Sequence, residues 1–566
     1  MSRSRQTHDR HAGPGAFERA SAACAWVMAV LYGALALLAM WRAPRVPYAD
    51  GWRFLGRFAA VPPGTAVFGP DNGHHEVLPN AVRVLELHVL DAGQQLQVWT
   101  GIALLAATVC AIWWQLRCER EPLRRRAQLL AAVVGLCWLG NVRVLGHANE
   151  SVHAYLVTLC VVLGIGWLAR GVRIPAATVA APGIRDAVPA AALAAIAAFS
   201  FGSGLAAFIA LFAVAFLRRA GPPVHLVLGG ALAATLLLRR IGNAGADAFA
   251  PSFAPLAQAD LALRWLAAPM VHAAWPLLDP ALAARVPTAP LRAVATGIAD
   301  AWQGAFGPVM LARWPHLLFG AAGVAWLLSM TWRARGSATR PALLGIGLAW
   351  FALGVGGLVA LGRLRYFELH PDQLLASRYV VWSSLFWAGL GIAAVARARV
   401  PVRAAIAVAL VALALLPSQL WMWRLGTSLR DAAQRTAVAV AVGVLEPGLE
   451  TGESVPAEVA RALPAIRRAH AAVFAWPETA ALGRGIGEAG GIVATDAMTI
   501  VPVPNRLGGP GRRVRFRADA RQDRLVLVDA DRIVRGIALR DPAQEGAWIG
   551  WMQGAPRGAV QVRALR

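Results

Sequence analysis

The chain has 566 residues, 57% of them hydrophobic and 15% charged, with mean hydropathy +0.52. That composition is too apolar for an ordinary water-soluble protein and calls for many membrane spans. The formal net charge of +24 would suggest nucleic acid in a soluble protein, but in a membrane protein basic loops are an orientation signal, so no nucleic-acid partner is expected.

A span needs about 20 apolar residues. By that rule segments near 22–42, 96–116, 128–140, 152–169, 187–217 (a pair), 224–238, 314–332, 341–361, 377–396 and 404–423 make about eleven crossings. Loops 1–21, 117–127, 170–186, 218–223, 333–340 and 397–403 hold 20 Arg against 5 acids. The opposite set, 43–95, 141–151, 239–312 and 362–376, holds 12 of each. The positive-inside bias therefore predicts a cytoplasmic N-terminal tail (1–21), a transmembrane domain (22–424) with an external loop at 43–95, and an extracytoplasmic soluble domain (425–566). Both ends of 187–217 carry arginine (Arg185; Arg218, Arg219), so it reads as a hairpin turning at Gly202 and Gly204. A single tilted helix, the alternative, would invert everything after it.

The first external loop concentrates Asp50, Asp71, Glu76, Glu86, Asp91, His74, His75 and His88 beside the membrane, a density of ionisable groups that marks chemistry. Asp50 suits a general base, or more plainly the N-cap of the helix that follows. Further on, 141–153 brings Arg143, His147, Asn149, Glu150 and His153 to the same side, either as a polar interfacial turn or as a second wall of the cavity. The proline-broken stretch 239–312 predicts short amphipathic or re-entrant helices on the outer leaflet, anchored by Trp265, Trp275 and Trp302. Arg363 ends one span and Arg378 begins the next. They read either as snorkelling anchors or, with Ser377-Arg378-Tyr379 at a helix start, as an anion site. After residue 425 a helical segment and a run of short β-branched strands predict a small α+β or β-sandwich domain.

The five cysteines show no CxxC or His/Cys metal spacing and read as packing residues. No Walker or Rossmann motif occurs, which disfavours a pump carrying its own nucleotide site.

Asp50-Gly51-Trp52, then Asp71-Asn72-Gly73-His74-His75 ahead of Leu78-Pro79, then Gly362-Arg363 with Ser377-Arg378-Tyr379, together resemble the GT-C superfamily of polytopic glycosyltransferases over residues 20–425. The resemblance is to bacterial members with an acidic-Trp first loop, an Asn-Glu-His-Arg-like element and a Gly-Arg to Ser-Arg-Tyr pair. This chain departs in carrying Gly73 and His75 where that element has Glu and Arg, with Glu76 one position along.

The resemblance implies transfer of a sugar, usually with inversion, from a polyprenyl-phosphate carrier to a glycan, lipid or protein acceptor at the outer face of a bacterial inner membrane. It casts Asp50, Asp71, His74 and Glu76 as the catalytic group. Arg363, Arg378 and Tyr379 are then the donor-phosphate ligands, and Trp52, Asn72, His75, Arg143 and His147 the substrate contacts. No cofactor is certain. Asp71, His74 and His75 offer either a divalent-metal set or hydrogen bonds to sugar and acceptor; adjacent side chains point apart in an extended chain, which favours the second. The rival readings are a transporter or flippase, or a polysaccharide polymerase or ligase. The first is disfavoured by spans nearly free of charge, the second by the early position of the acidic loop.

Overall fold

The structure is a computed structural model that describes residues 16–71, 74–172, 180–242, 253–278, 283–284, 288–449, 455–486, 491–542 and 544–565. Its helices begin with α1 (Ala16–Trp41), α2 (Gly51–Ala60), α3 (Pro63–Phe68), α4 (Val77–Val89), α5 (Gln95–Leu116), α6 (Pro122–Cys137), α7 (Val142–Gly146), α8 (Ala148–Leu168), α9 (Ile184–Ala198) and α10 (Ala206–Leu217). They continue with α11 (Pro222–Gly242), α12 (Pro255–Leu266), α13 (Ala268–Leu278), α14 (Ala289–Leu311), α15 (Arg313–Ala334), α16 (Arg340–Leu369), α17 (Ser377–Arg397), α18 (Pro401–Val442) and α19 (Pro456–Arg468). Among the described residues, 9 helices are long and apolar enough to cross a membrane. The shorter α9 and α10, of 15 and 12 residues, supply the remaining pair of apolar segments read from the sequence.

Small residues set the helix spacing, as expected where no hydrophobic force drives helices together in lipid. Gly345 and Gly389 face each other between α16 and α17, where a Cβ on either would lie 2.5 Å from the other's carbonyl oxygen. Gly135 lets α6 approach Ala388 in the same way.

The arginine-rich loops gather at one end of the bundle. Arg124 donates to the Ala398 carbonyl (3.0 Å), Arg397 to that of Arg333 (3.3 Å), and Arg218 to that of Leu168 (3.1 Å). The Gly336 amide bonds the Leu217 carbonyl at 2.8 Å. At the other end, the Val77 amide bonds the Phe199 carbonyl (2.8 Å), and His75 Nε2 hydrogen-bonds that of Arg239 (3.3 Å). The α9–α10 turn thus meets the first loop while both outer ends of the pair lie with the basic loops. This is the hairpin, and the single tilted helix is ruled out.

The 239–312 segment differs in part from its sequence reading. Trp265, expected as an interfacial anchor, is fully buried, because Gly356 leaves room for its ring and Gly320 lets the α12 backbone come close to α15. Trp302 lies on α14 in an exposed apolar stripe with Leu291, Val294, Ile298 and Phe306, a face suited to lipid. The Trp275 side chain lies outside the described residues.

Helix α18 continues beyond its apolar span for 42 residues in all, about 63 Å. It ends at Gly443 (φ 89°) in a Schellman turn, with Val444 N–H on the Ala439 carbonyl and Gly443 N–H on that of Val440. Its last turns lie on a single seven-stranded antiparallel sheet, comprising β1 (Gly491–Ile492), β2 (Thr499–Val503), β3 (Gly511–Arg517), β4 (Arg524–Val528), β5 (Val534–Arg540), β6 (Ala547–Gln553) and β7 (Gln561–Ala564). The order is β1-β7-β4-β5-β6-β3-β2, so of the two predicted alternatives the domain is α+β and not a sandwich. Val438, Ala439 and Val442 pack on Ile537, Leu539, Ile549 and Trp551. The opposite face carries Val514, Phe516, Leu527, Trp548 and Met552 in a core of its own.

The soluble part is also tied to the first loop. On α2, Trp52, Leu55 and Phe58 share a core with Ala437, Val440, Ala462 and Ile466. Burying side chains of this size stabilises by about 1.5–3 kcal/mol each. Gly56 is the closest approach, since a Cβ there would sit 2.5 Å from that of Ala462. Gly56→Val should therefore prise α2 from α19 at a cost of about 1–3 kcal/mol, read as a lower melting temperature of the detergent-solubilised protein; an unchanged melt would refute the shared core.

Candidate active site

After α1 the chain is reversed by Pro44, Pro47 and a left-handed Ala49 (φ 49°). Asp50 takes the N-cap position of α2, yet its side chain makes no cap hydrogen bond. Its carboxylate lies 3.6 Å from Arg53 Nη2 and stays about a third exposed. Tyr48 and Gly51, on either side of it in the chain, line a cleft whose other walls include Phe54, Arg83, His147 and Asn149. Trp52, expected against substrate, points the other way and is fully buried in the α2–α19 core. Helix periodicity separates the two: Trp52, Leu55 and Phe58 form the buried stripe, leaving Arg53 and Arg57 on the opposite side.

Those two arginines fix the next piece of the loop. Both reach the Asp71 carboxylate, Arg57 at 3.4 Å, and Arg57 also donates to the Gly69 (2.7 Å) and Pro70 (2.9 Å) carbonyls. Asp71 and His74 then close a tight turn through a reciprocal pair of backbone hydrogen bonds (2.9 and 2.8 Å). Asn72 lies outside the described residues. Asp71 is thus committed to two guanidinium groups, and its place is that of an anchor for the turn.

The turn delivers His74 against Phe201, ring centroids 4.8 Å apart, and His153 stacks on the same Phe201 at 4.1 Å. Gly202 is required beside them, because a Cβ there would overlap the His74 ring. His75 diverges to the Arg239 carbonyl and Phe199. Glu76, at the start of α4, is buried in an ion pair with Arg83, which also bonds Asn80 Oδ1 (2.7 Å) and lies 4.6 Å from the Phe54 ring centroid. With Asp71, His74 and His75 aimed three ways, this set does not converge on a metal. Among the described residues no group of three His, Cys, Asp or Glu does so.

The second wall is connected. Arg143 holds Glu150 at 3.3 Å, Glu150 holds His153 Nε2 at 3.2 Å, and His153 lies on Phe201. His147 packs edge-on to Tyr48 at 4.7 Å.

The late pair forms an arginine–tyrosine cluster. Arg363 sits at a break in α16 (φ −129°, ψ 16°) and donates to the Tyr379 hydroxyl at 3.0 Å. Arg378 donates to the Tyr366 hydroxyl and to Gln373 Oε1, both at 3.2 Å, and stacks 5.1 Å from the Tyr379 ring centroid. Tyr366 was not singled out in the sequence; its spacing of three from Arg363 on one helix was the available signal. Arg53, Arg57 and Arg83 were missed as well.

His74 feels charges from both halves. Burial pushes its imidazolium down to about 4, with Glu76 opposing and the positive charges of Arg363 and Arg239 adding to the effect. At neutral pH His74 is therefore an uncharged ring that accepts at one nitrogen and donates at the other. Gly202→Ala should displace that ring, lowering the melting temperature of the solubilised protein by several degrees; an unaltered melt would show that His74 does not need this contact.

No protein-family model matches the chain, and no curated protein does. In structure it is similar to the oligosaccharyltransferase of Archaeoglobus fulgidus, crystallised in complex with zinc and sulfate, at TM-score 0.33 and 11% identity. The match covers 71% of this chain and 53% of that one, so the chain spans about half of the length of that protein.

Proposed function

We propose that the chain is a polytopic glycosyltransferase of GT-C type, moving a sugar from a polyprenyl-phosphate carrier to a glycan, lipid or protein acceptor. In this reading it lies in a bacterial inner membrane with its N-terminus cytoplasmic and its C-terminal domain periplasmic. The observation that carries the proposal is that the α9–α10 hairpin seats the acidic loop at His74 and packs, through Ala206 and Ile209, on Gly354 of α16, the helix that bears Arg363.

Asp50 is the proposed base. It takes the proton of the acceptor hydroxyl as the acceptor oxygen bonds to the anomeric carbon and the bond from that carbon to the carrier phosphate breaks. The departing phosphate then gains negative charge, which Arg363 and Arg378 would stabilise, with Tyr366 and Tyr379 orienting the guanidinium groups. Attack and departure on opposite faces give inversion. His74, neutral and held against the Phe201 ring, would hydrogen-bond the sugar. Asp71 and Glu76 act in this scheme by holding the loop, and Arg143 acts through Glu150 and His153. No step is routed through a metal.

In proteoliposomes supplied with a polyprenyl-phosphate-linked sugar and acceptor, Asp50→Asn should lower turnover about a hundredfold or more with the protein still folded. Arg378→Ala should raise KM for the lipid donor more than for the acceptor. An Asp50→Asn enzyme with near-normal turnover would contradict the base assignment.

A further inference from the structure

We infer that His272 is a positioning residue for the proposed donor-phosphate ligands, an inference that rests on the transferase reading and gives a role to the proline-broken segment, which that reading leaves without one. His272 lies on α13, and its Nε2 donates to the Leu375 carbonyl at 2.7 Å, across 103 positions of sequence. Leu375 ends the 3-10 turn Pro371–Leu375. That turn is the link between α16, which bears Arg363, and α17, which opens on Ser377-Arg378.

Helix α13 is itself well fastened. The Trp265 ring, on α12, fills the space that Gly356 leaves on α16, and the Leu266 carbonyl accepts from Trp387 Nε1 of α17 at 2.8 Å. Ala267 and Ala268, at the elbow between α12 and α13, are fully buried. The elbow is thus fixed to both helices that carry the arginines. His272 stands about one turn beyond it on α13, which brings the imidazole to the turn between those two helices.

The bond controls the direction of Arg378. Gln373, in the same turn, accepts from Arg378 at 3.2 Å, and Arg378 also donates to the Tyr366 hydroxyl of α16. Leu375 lies between Gln373 and Arg378 in the chain, so fixing its carbonyl fixes the backbone from which both side chains project. A guanidinium binds phosphate through a planar fork whose orientation matters, and a displacement of about 1 Å is enough to weaken such a site. His272 acts through this backbone, while the arginines meet the phosphate.

The test titrates undecaprenyl phosphate against the full chain in nanodiscs, comparing His272→Gln with His272→Asn. The two substitutions differ by one methylene: the Gln amide reaches the place of Nε2, and the Asn amide falls short of it. His272→Asn should weaken binding about three- to tenfold, the worth of one hydrogen bond, and His272→Gln should restore it. In the Arg378→Ala background His272→Asn should have no further effect, because the residue acts through that arginine. Equal binding by the Asn and Gln variants, or a His272→Asn loss that persists undiminished without Arg378, overturns the inference while leaving the transferase reading in place. Binding that Arg378→Ala itself does not weaken removes the phosphate-ligand assignment, and the inference with it.

Discussion

The structure depends on how the strip from His74 to Val77 is seated on the turn between α9 and α10. Phe201 lies between His74 and His153, Gly202 leaves space for the imidazole, and Val77 and His75 hydrogen-bond to the Phe199 and Arg239 carbonyls. This one seat joins four stretches far apart in sequence, 74–77, His153, 199–202 and Arg239. It also ties the loop to the hairpin that packs, through Ala206 and Ile209, on Gly354 of α16, the helix that bears Arg363.

Everything around the seat serves to hold it. On the outer side α2 is a lever with two faces: its apolar stripe is fixed to the C-terminal helices, and its arginines grip the Gly69–Asp71 backbone and carboxylate. Beneath, Glu86 in the last turn of α4 accepts from the Leu96 amide (2.8 Å) and Gln97 (2.6 Å), tying the loop's exit to the first turn of α5. Buried charge of this kind is costly unless paired; here Asp71, Glu76 and Glu86 each have partners, which is why so many ionisable groups can coexist in one loop. The C-terminal domain is, on this view, a brace for the first loop as much as a separate unit.

Much of the architecture was legible in the sequence. Arginine at both ends of 187–217 implied the hairpin, and the fold places both ends with the basic loops. Arg363 and Arg378 were legible as a pair because each closes or opens an apolar run. What could not be read was direction around a helix or turn. Trp52 near Asp50 looked like a substrate contact, but two positions along a helix turn the side chain by about 200°, and the ring belongs to the core. Asp71 looked catalytic, yet its partners Arg53 and Arg57 come from a helix whose second face only packing defines. Trp265 looked like an interfacial anchor because nothing local reveals that Gly356, 91 positions on, leaves room for it. Long-range seats of this sort follow from tertiary packing, to which hydrophobic periodicity is blind.

The most direct test is the titration of His74 followed by NMR of isotope-labelled histidine in the wild-type protein and in Arg363→Gln. Burial alone should bring the wild-type ring to about 4; if the loop and the arginine–tyrosine cluster form one site, removing the Arg363 charge moves that midpoint upward, because a nearby cation disfavours the protonated form. A His74 midpoint near the ordinary histidine value and unmoved by Arg363→Gln would show that the two halves do not share a site.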